Sequence, residues 1–216
     1  MVVGNGLIAS VFLDYVDNKD YIIFASGVSS SASNSPEEFH REIDLIKKYI
    51  NTESKFIYFS STRIYLDLPY FNHKQSMEKF IIENFKNYII FRLPNVIGKI
   101  GNKDNFFNYF KNKIIKSESI DVKDTYRALI DVEDLKKICE YCFSENKSIL
   151  TISAIEKIKV VDIIRLISRT LNSDINMNFL EDSEIYNVEN SLIVDKAIDK
   201  LIDKNNYTKK IIQKYI

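Results

Sequence analysis

Glycine is scarce in this chain of 216 residues: there are five, where average usage would give about fifteen. Their placement is informative, because Gly4, Gly6, Gly27, Gly98 and Gly101 all fall in or near expected strand-to-loop junctions. Cysteine is scarcer still, with two residues. Cys139 and Cys142 form a lone CxxC in LKKICEYCFSE, and a redox or zinc site would want a βαβ context or a second ligand pair. The sequence offers neither, and His40 and His73 lie far off. Leu135, Ile138, Cys139 and Cys142 keep helical spacing, so the pair reads as buried helix residues and no metal is expected. An excess of charge is missing as well. The 30 basic and 30 acidic residues cancel, which leaves no global field favouring nucleic acid or an anionic membrane. No apolar stretch reaches the ~18 residues a membrane span needs, and Asn5 and Gly6 interrupt the first apolar run before a signal pattern can form. The expectation is a cytoplasmic protein with neither a membrane nor a nucleic-acid partner.

What is present is ordinary globular material, 45% hydrophobic and 28% charged, enough for one domain or a main domain with a small appendage. Met1–Val3 reads as the end of a short strand, followed by helical spacing at Ile8, Val11, Phe12 and Tyr15. YIIF at 21–24 reads as a buried strand ending in Ala25-Ser26-Gly27. Ser35-Pro36-Glu37-Glu38 marks a helix start, with proline at the first position and acids in the first turn. KFIYFSS at 55–61 and YIIFRLPN at 88–95 read as further strands, separated by a helix carrying Tyr70, Lys74, Met77, Glu78 and Ile81. Strands alternating with helices predict an α/β fold, a parallel sheet covered on both faces. After Gly101 the pattern is less regular and more helical, over Phe106–Ile115, Val132–Phe143 and Val160–Leu171. The expected division is a core over 1–100 and a mixed, mostly helical substrate-binding lobe over 101–216, with return segments to the core.

Val2-Val3-Gly4-Asn5-Gly6-Leu7-Ile8-Ala9 matches GxGxxA at a strand-to-helix turn. Glycines there permit a tight turn and close approach of the backbone to a pyrophosphate, and a following helix would offer N–H groups and a positive dipole. A dinucleotide site usually places Asp or Glu about twenty residues further on, at the end of the second strand. Phe24 stands there instead, and Asp20 opens that strand where an acid should close it.

FSSTRIYLDLPYFNHKQSMEKF carries a second constellation. Tyr70 and Lys74 are i and i+4 on one helix face, and Ser60 and Ser61 close the preceding strand. Reduction of a carbonyl needs a proton donor at oxygen as hydride reaches carbon. A tyrosine with a reference pKa of about 10 exchanges its proton poorly at neutral pH unless a nearby cation lowers it. Lys74 is placed to be that cation and to bond a nicotinamide ribose, and a serine hydroxyl to orient the carbonyl.

Together these segments resemble the extended short-chain dehydrogenases/reductases, specifically the NAD-dependent epimerase/dehydratase group. The resemblance takes in the GNGLIA turn, IIFASG, SST-IY with YFNHK, FRLPNVIG against that family's Arg-x-x-Asn-x-x-Gly, and YRALIDVEDL against its Arg-x-x-Ile-x-Val-x-Asp. It implies a Rossmann-like fold with a small C-terminal substrate lobe and a homodimer built through helices flanking the sheet. Ser61, Tyr70 and Lys74 would be the catalytic trio. Gly4, Gly6, Leu7, Ile8, Ala25, Ser26, Gly27 and Leu93, with Lys74, would hold NADP or NAD, with a slight preference for NADPH. Arg63, Asn95 and Arg127 would hold a nucleotide-sugar substrate, Arg127 through its diphosphate. The chain also departs from the family. Its glycine pattern starts one residue late, Glu42 stands where the family often has Asn, and strands two and three are missing, which accounts for the absent ribose acid.

The family's dehydratases carry an acidic pair directly after the catalytic Ser/Thr; here those positions are Thr62 and Arg63, which argues against dehydration. An epimerase must retain its cofactor through oxidation and re-reduction, a poor match to a reduced adenosine pocket. The sequence therefore favours a reductase of a nucleotide-linked keto-sugar, such as a dTDP-4-keto-6-deoxyhexose, in surface-polysaccharide synthesis. An epimerase is the alternative enzyme, a non-catalytic nucleotide-binding protein the alternative class, and a flavin-reductase-like scaffold is disfavoured by Asn95 and Arg127.

Overall fold

The computed structural model describes residues 1–100, 105–153, 155–181 and 186–216; Gly101 lies outside them. The first half runs β1 (Val2–Val3), β2 (Tyr21–Phe24), α1 (Pro36–Lys47), β3 (Lys55–Ser61), α2 (Pro69–Asn84), β4 (Tyr88–Leu93) and β5 (Asn95–Ile97). It continues with α3 (Phe106–Ile115), β6 (Ile120–Lys123), β7 (Tyr126–Asp131), α4 (Val132–Tyr141), β8 (Ser148–Thr151) and β9 (Lys157–Lys159). The chain closes with α5 (Val160–Leu171), β10 (Met177–Leu180), α6 (Leu192–Leu201) and α7 (Tyr207–Tyr215). The main sheet has order β1-β2-β3-β4-β8 and is parallel throughout. β1 pairs directly with β2 and forms the sheet's edge among the described residues. The two strands expected to be missing are absent among those residues.

Strand alternation sorts the core into two layers. Ile22, Phe24, Phe56, Tyr58, Tyr88 and Ile90 pack with Ile46 of α1 and with Met77 and Ile81 of α2. Their neighbours Ile23, Ile57, Phe59, Ile89, Phe91 and Leu93 face the other side, against α4, α6 and the N-terminal segment. Each fully buried side chain of this size contributes about 1.5–3 kcal/mol, so a one-residue slip in register would exchange both faces and be excluded. α1 starts as its sequence dictates, with Ser35 Oγ accepting from Glu38 N and proline in the first turn. Cys139 and Cys142 are fully buried in the second layer, where burial pushes the Cys142 thiol up to about 12.

Two local expectations are corrected. The helix anticipated over Ile8–Tyr15 is replaced by two single 3-10 turns, Ala9–Val11 and Leu13–Tyr15. Phe12, between them at φ −106° and ψ 22°, is fully buried against Phe59 and Phe143, and this aromatic packing overrides a weak local helix propensity. The strand expected over 88–95 divides at Pro94, which has no N–H to continue the ladder. β5 leaves the main sheet there and pairs in parallel with β7, which in turn pairs antiparallel with β9.

Candidate active site

The glycine turn lies at the carboxyl end of β1. Gly4 has φ +124°, and a Cβ there would sit 2.5 Å from the Ala25 carbonyl oxygen and 3.1 Å from Ser26 N. Only glycine lets the turn press this closely on the end of β2. A Cβ on Gly6, by contrast, would meet nothing within 4 Å. Leu7 is wedged under Gly98, whose Cβ would come 2.4 Å from Leu7 Cδ1, and Ile8 packs on the second core layer. Because 3-10 turns follow, the turn lacks the α-helix dipole expected of it. A nearby cation stands at the same edge: Arg41 of α1 donates to Ser26 Oγ at 3.2 Å and to Ser26 O at 3.1 Å.

Deeper at the same sheet end is a buried polar cluster. Glu42 and Lys74 are 0% and 2% exposed, and Lys74 Nζ donates to Glu42 Oε1 at 2.9 Å. The hydroxyl of Tyr58 on β3 donates to Oε1 at 2.6 Å, and Val28 N to Oε2 at 2.8 Å. His73 Nε2 lies 3.0 Å from Oε2, its ring stacked on Phe39 at 4.5 Å between centroids. Lys74 also donates to Tyr58 Oη at 2.9 Å and, at the longer distance of 3.4 Å, to Phe59 O. All three ammonium protons are thus aimed at protein acceptors. Burial alone pushes a carboxyl up, but the Lys74 charge and the bonds from His73, Tyr58 and Val28 outweigh it and hold Glu42 far below the usual carboxylate range. Gly27 packs directly on this cluster, since a Cβ there would sit 2.7 Å from Lys74 Nζ and 3.0 Å from Glu42 Oε1.

Tyr70, in the first turn of α2, is half-buried, with Lys74 Nζ 5.8 Å from its ring centroid. Burial pushes its hydroxyl up; Lys74 offsets part of that and Glu42 adds to it. The lowering by Lys74 that the spacing offers is present, but burial outweighs it and Glu42 opposes it.

Ser61 ends β3, and its Oγ accepts from Arg63 N at 3.2 Å. Thr62 N donates to Leu93 O at 3.0 Å, which ties the ends of β3 and β4 together. Thr62 Oγ1 is 3.2 Å from Tyr186 Oη, whose own hydroxyl reaches Ser153 O at 3.4 Å. Arg63 lies over the Phe71 ring, 5.4 Å from its centroid. Ser60, facing the α1/α2 layer by alternation, has a buried Oγ with no hydrogen-bond partner among the described residues. On the second sheet Asn95 Nδ2 donates to Ala128 O at 3.2 Å. Arg127 is buried, and its Nη1 turns back to Thr125 Oγ1 at 3.0 Å and Tyr126 O at 2.8 Å.

The structure thus brings together Gly27, Tyr70 and Lys74, joins Gly4 to Ala25 and Ser26, and sets Asn95 and Arg127 on adjacent strands. Sequence reasoning missed the partners Tyr58, His73 and Tyr186, and Arg41. Glu42 left one signal, a carboxylate four residues before fully buried Ile46 on the inward stripe of α1. The open face at Gly6 fits the close approach of a dinucleotide's pyrophosphate. No acid closes β2 to hold the adenosine ribose.

No family model and no curated protein matches the chain. Solved structures do match. A UDP-N-acetylglucosamine 4-epimerase from Methanobrevibacter ruminantium, in complex with UDP-N-acetylmuramic acid, superposes with TM-score 0.72 at 19% identity, covering 98% of this chain and 80% of that one. The UDP-glucose 4-epimerase of Thermus thermophilus, complexed with NAD, gives 0.71 at 10% identity over 98% and 83%. RMD from Pseudomonas aeruginosa, complexed with NADPH, gives 0.68 at 15% identity over 98% and 86%. The resemblance read from the motifs therefore holds at the level of fold: the chain shares the Rossmann-like α/β architecture of these solved structures.

Proposed function

We propose that the protein is an NAD(P)-dependent reductase of a nucleotide-activated keto-sugar, with a dTDP-4-keto-6-deoxyhexose as the best candidate. The observation that carries this reading is the placement of Ser61, Tyr70 and Lys74 at the carboxyl edge of the sheet, on the side of the glycine turn. Gly4, Gly6, Leu7, Ile8, Ala25, Ser26, Gly27 and Leu93 would line the coenzyme, and Asn95, Arg127 and Arg63 the nucleotide-sugar. The neighbours that share the fold support the substrate class, since their names include UDP-sugar epimerases, a dTDP-glucose 4,6-dehydratase and RMD with NADPH. NADPH is slightly preferred to NADH as the coenzyme, the setting is surface-polysaccharide synthesis in the cytoplasm, and the assembly is a homodimer.

When bound, the coenzyme would be the source of hydride for the keto carbon. The protein's part is to hold the carbonyl oxygen and deliver a proton to it. Ser61 Oγ–H orients the oxygen, and the Tyr70 hydroxyl, kept protonated by its surroundings, donates. General-acid assistance of this kind contributes about 10²–10⁴-fold. Thr62 is held by Tyr186 and Arg63 lies on Phe71, so neither offers the acid and base that water elimination needs. Among the described residues the edge beyond β1 carries no strand to grip adenosine, which favours exchange of coenzyme at each turnover over its retention by an epimerase.

One observation favours a non-catalytic nucleotide-binding protein: Glu42 holds the Lys74 ammonium. The retained Ser61 and Tyr70 oppose it. Product analysis separates the readings. Incubation with a UDP-hexose in the absence of added coenzyme should leave the sugar unchanged, whereas inversion at C4 with nucleotide retained on the protein would refute the reductase and establish the epimerase.

A further inference from the structure

Glu42 is a fully buried carboxylate that the mechanism above does not use, yet it organises the catalytic end of the sheet. It reaches from α1 to accept from β3 through Tyr58, from α2 through Lys74 and His73, and from the loop after β2 through Val28 N. Among these partners Lys74 brings the ammonium. Its shortest contact to an anion, 2.9 Å, is to Glu42, while Tyr70 has it only at 5.8 Å from the ring centroid. We propose that Glu42 is a positioning residue that claims the Lys74 ammonium and thereby keeps Tyr70 as the neutral phenol. This rests on the reductase reading and adds to it the residue that sets the protonation state of its proton donor.

Charge balance around the Tyr70 hydroxyl produces the coupling. An unpaired Lys74 beside Tyr70 would favour the phenolate, the form that removes a proton from a sugar hydroxyl. Pairing with Glu42 at hydrogen-bond distance makes the two together nearly neutral as seen from Tyr70, and burial then favours the uncharged phenol. The titratable groups that act on Tyr70 are Lys74 on its own helix, Glu42 on α1 and Tyr58 on β3, while His73 turns to Glu42 and Phe39. Glu78 on α2 bonds Arg92 at 2.6 Å, and Arg63 lies over the adjacent Phe71. Gly27 matters to the same balance, since any side chain there would push Nζ from the carboxylate.

The test reads the ionisation of Tyr70 without turnover. Tyrosine labelled with carbon-13 at Cζ gives a set of resonances, and the one lost in Tyr70→Phe belongs to Tyr70. In the wild type it should titrate above the ordinary tyrosine value of about 10. In Glu42→Gln, which keeps the shape and removes the charge, its midpoint should fall by about one pH unit or more, a tenfold change in the phenol–phenolate ratio. An unmoved midpoint, or a wild-type Tyr70 already ionised near neutrality, overturns the proposal. If Glu42→Gln does not fold, Glu42→Gln with Lys74→Met leaves no uncompensated charge, and its Tyr70 should stay within half a unit of the wild type. A fall of a unit or more in that double variant overturns the proposal equally. The same samples assayed for keto-sugar reduction separate the two readings. A wild type that titrates as stated but reduces nothing refutes the reductase and leaves the Glu42–Lys74–Tyr70 coupling standing.

Discussion

The two glycines of the N-terminal turn have the same residue type and opposite surroundings, so replacing each by alanine should give opposite results. In Gly4→Ala the new Cβ meets backbone, 2.5 Å from the Ala25 carbonyl oxygen, and the residue holds φ +124°. Non-glycine residues in such regions cost about 1–3 kcal/mol. The contact adds about 1–3 kcal/mol, since no side-chain rotation relieves a clash with backbone. A total of about 3 kcal/mol would lower Tm by about 6–12 °C for a chain of this size. In Gly6→Ala the Cβ meets nothing within 4 Å, so stability should change by less than about 1 kcal/mol. That empty space is where a pyrophosphate would approach, and coenzyme affinity should fall by about tenfold, equivalent to about 1.4 kcal/mol. Thermal unfolding and coenzyme titration by calorimetry measure the two effects separately. A Gly4→Ala variant as stable as the wild type, or a Gly6→Ala variant that binds coenzyme unchanged, would refute the assignment of one glycine to folding and the other to binding.

Further predictions follow from the buried cluster and the strap near it. Lys74→Met leaves Glu42 buried without its cation and should cost about 3–5 kcal/mol, recovered in large part when Glu42→Gln is added; urea denaturation of the single and double variants measures both. Glu42 also sets an acid dependence. Its folded carboxyl is held below the ordinary range, so between that lowered value and the unfolded value of about 4.3 the unfolded chain binds the extra proton. Its contribution is therefore full above the unfolded value and is lost as pH falls towards the folded one, so Glu42→Gln should flatten the fall in stability below pH about 4. Tyr186→Phe removes the hydroxyl that bridges Thr62 and Ser153 and should cost about 1 kcal/mol, seen as a small drop in Tm. Cys139 and Cys142 are fully buried, and burial pushes both thiols up; they should resist a thiol reagent at pH about 8 until the chain is unfolded.

Where local rules decide, the sequence was legible. β2 and β3 fall on the expected 21–24 and 55–61, because unbroken apolar β-branched and aromatic runs have no other stable use in a parallel sheet. Ser35-Pro36 opened α1 as its capping chemistry requires. Where packing overrode propensity, the reading failed. Phe12 is drawn into the core and breaks what the Ile8–Tyr15 spacing offered as a helix, and Pro94 turns β5 away to a second sheet. Tyr70 and Lys74 were visible as a pair because helical spacing joins them. Their electrostatics were not, because Glu42 is 32 residues from Lys74 in the chain and only the fold brings it there. Arg127 was visible as a phosphate-type side chain, but its turn back along β7 depends on Thr125 and Tyr126, which no motif describes.

The central claim is that Tyr70 donates a proton while a reduced nicotinamide coenzyme is consumed on a keto-sugar. The measurement that meets it most directly is the loss of reduced-nicotinamide absorbance with freshly generated dTDP-4-keto-6-deoxyglucose, using NADPH and NADH in parallel, with wild type and Tyr70→Phe side by side. The account predicts substrate-dependent oxidation by the wild type, reduced about 10²-fold or more in the variant with an unchanged Tm. Equal rates in the two proteins, or no oxidation and no calorimetric binding of either coenzyme by the wild type, would contradict it.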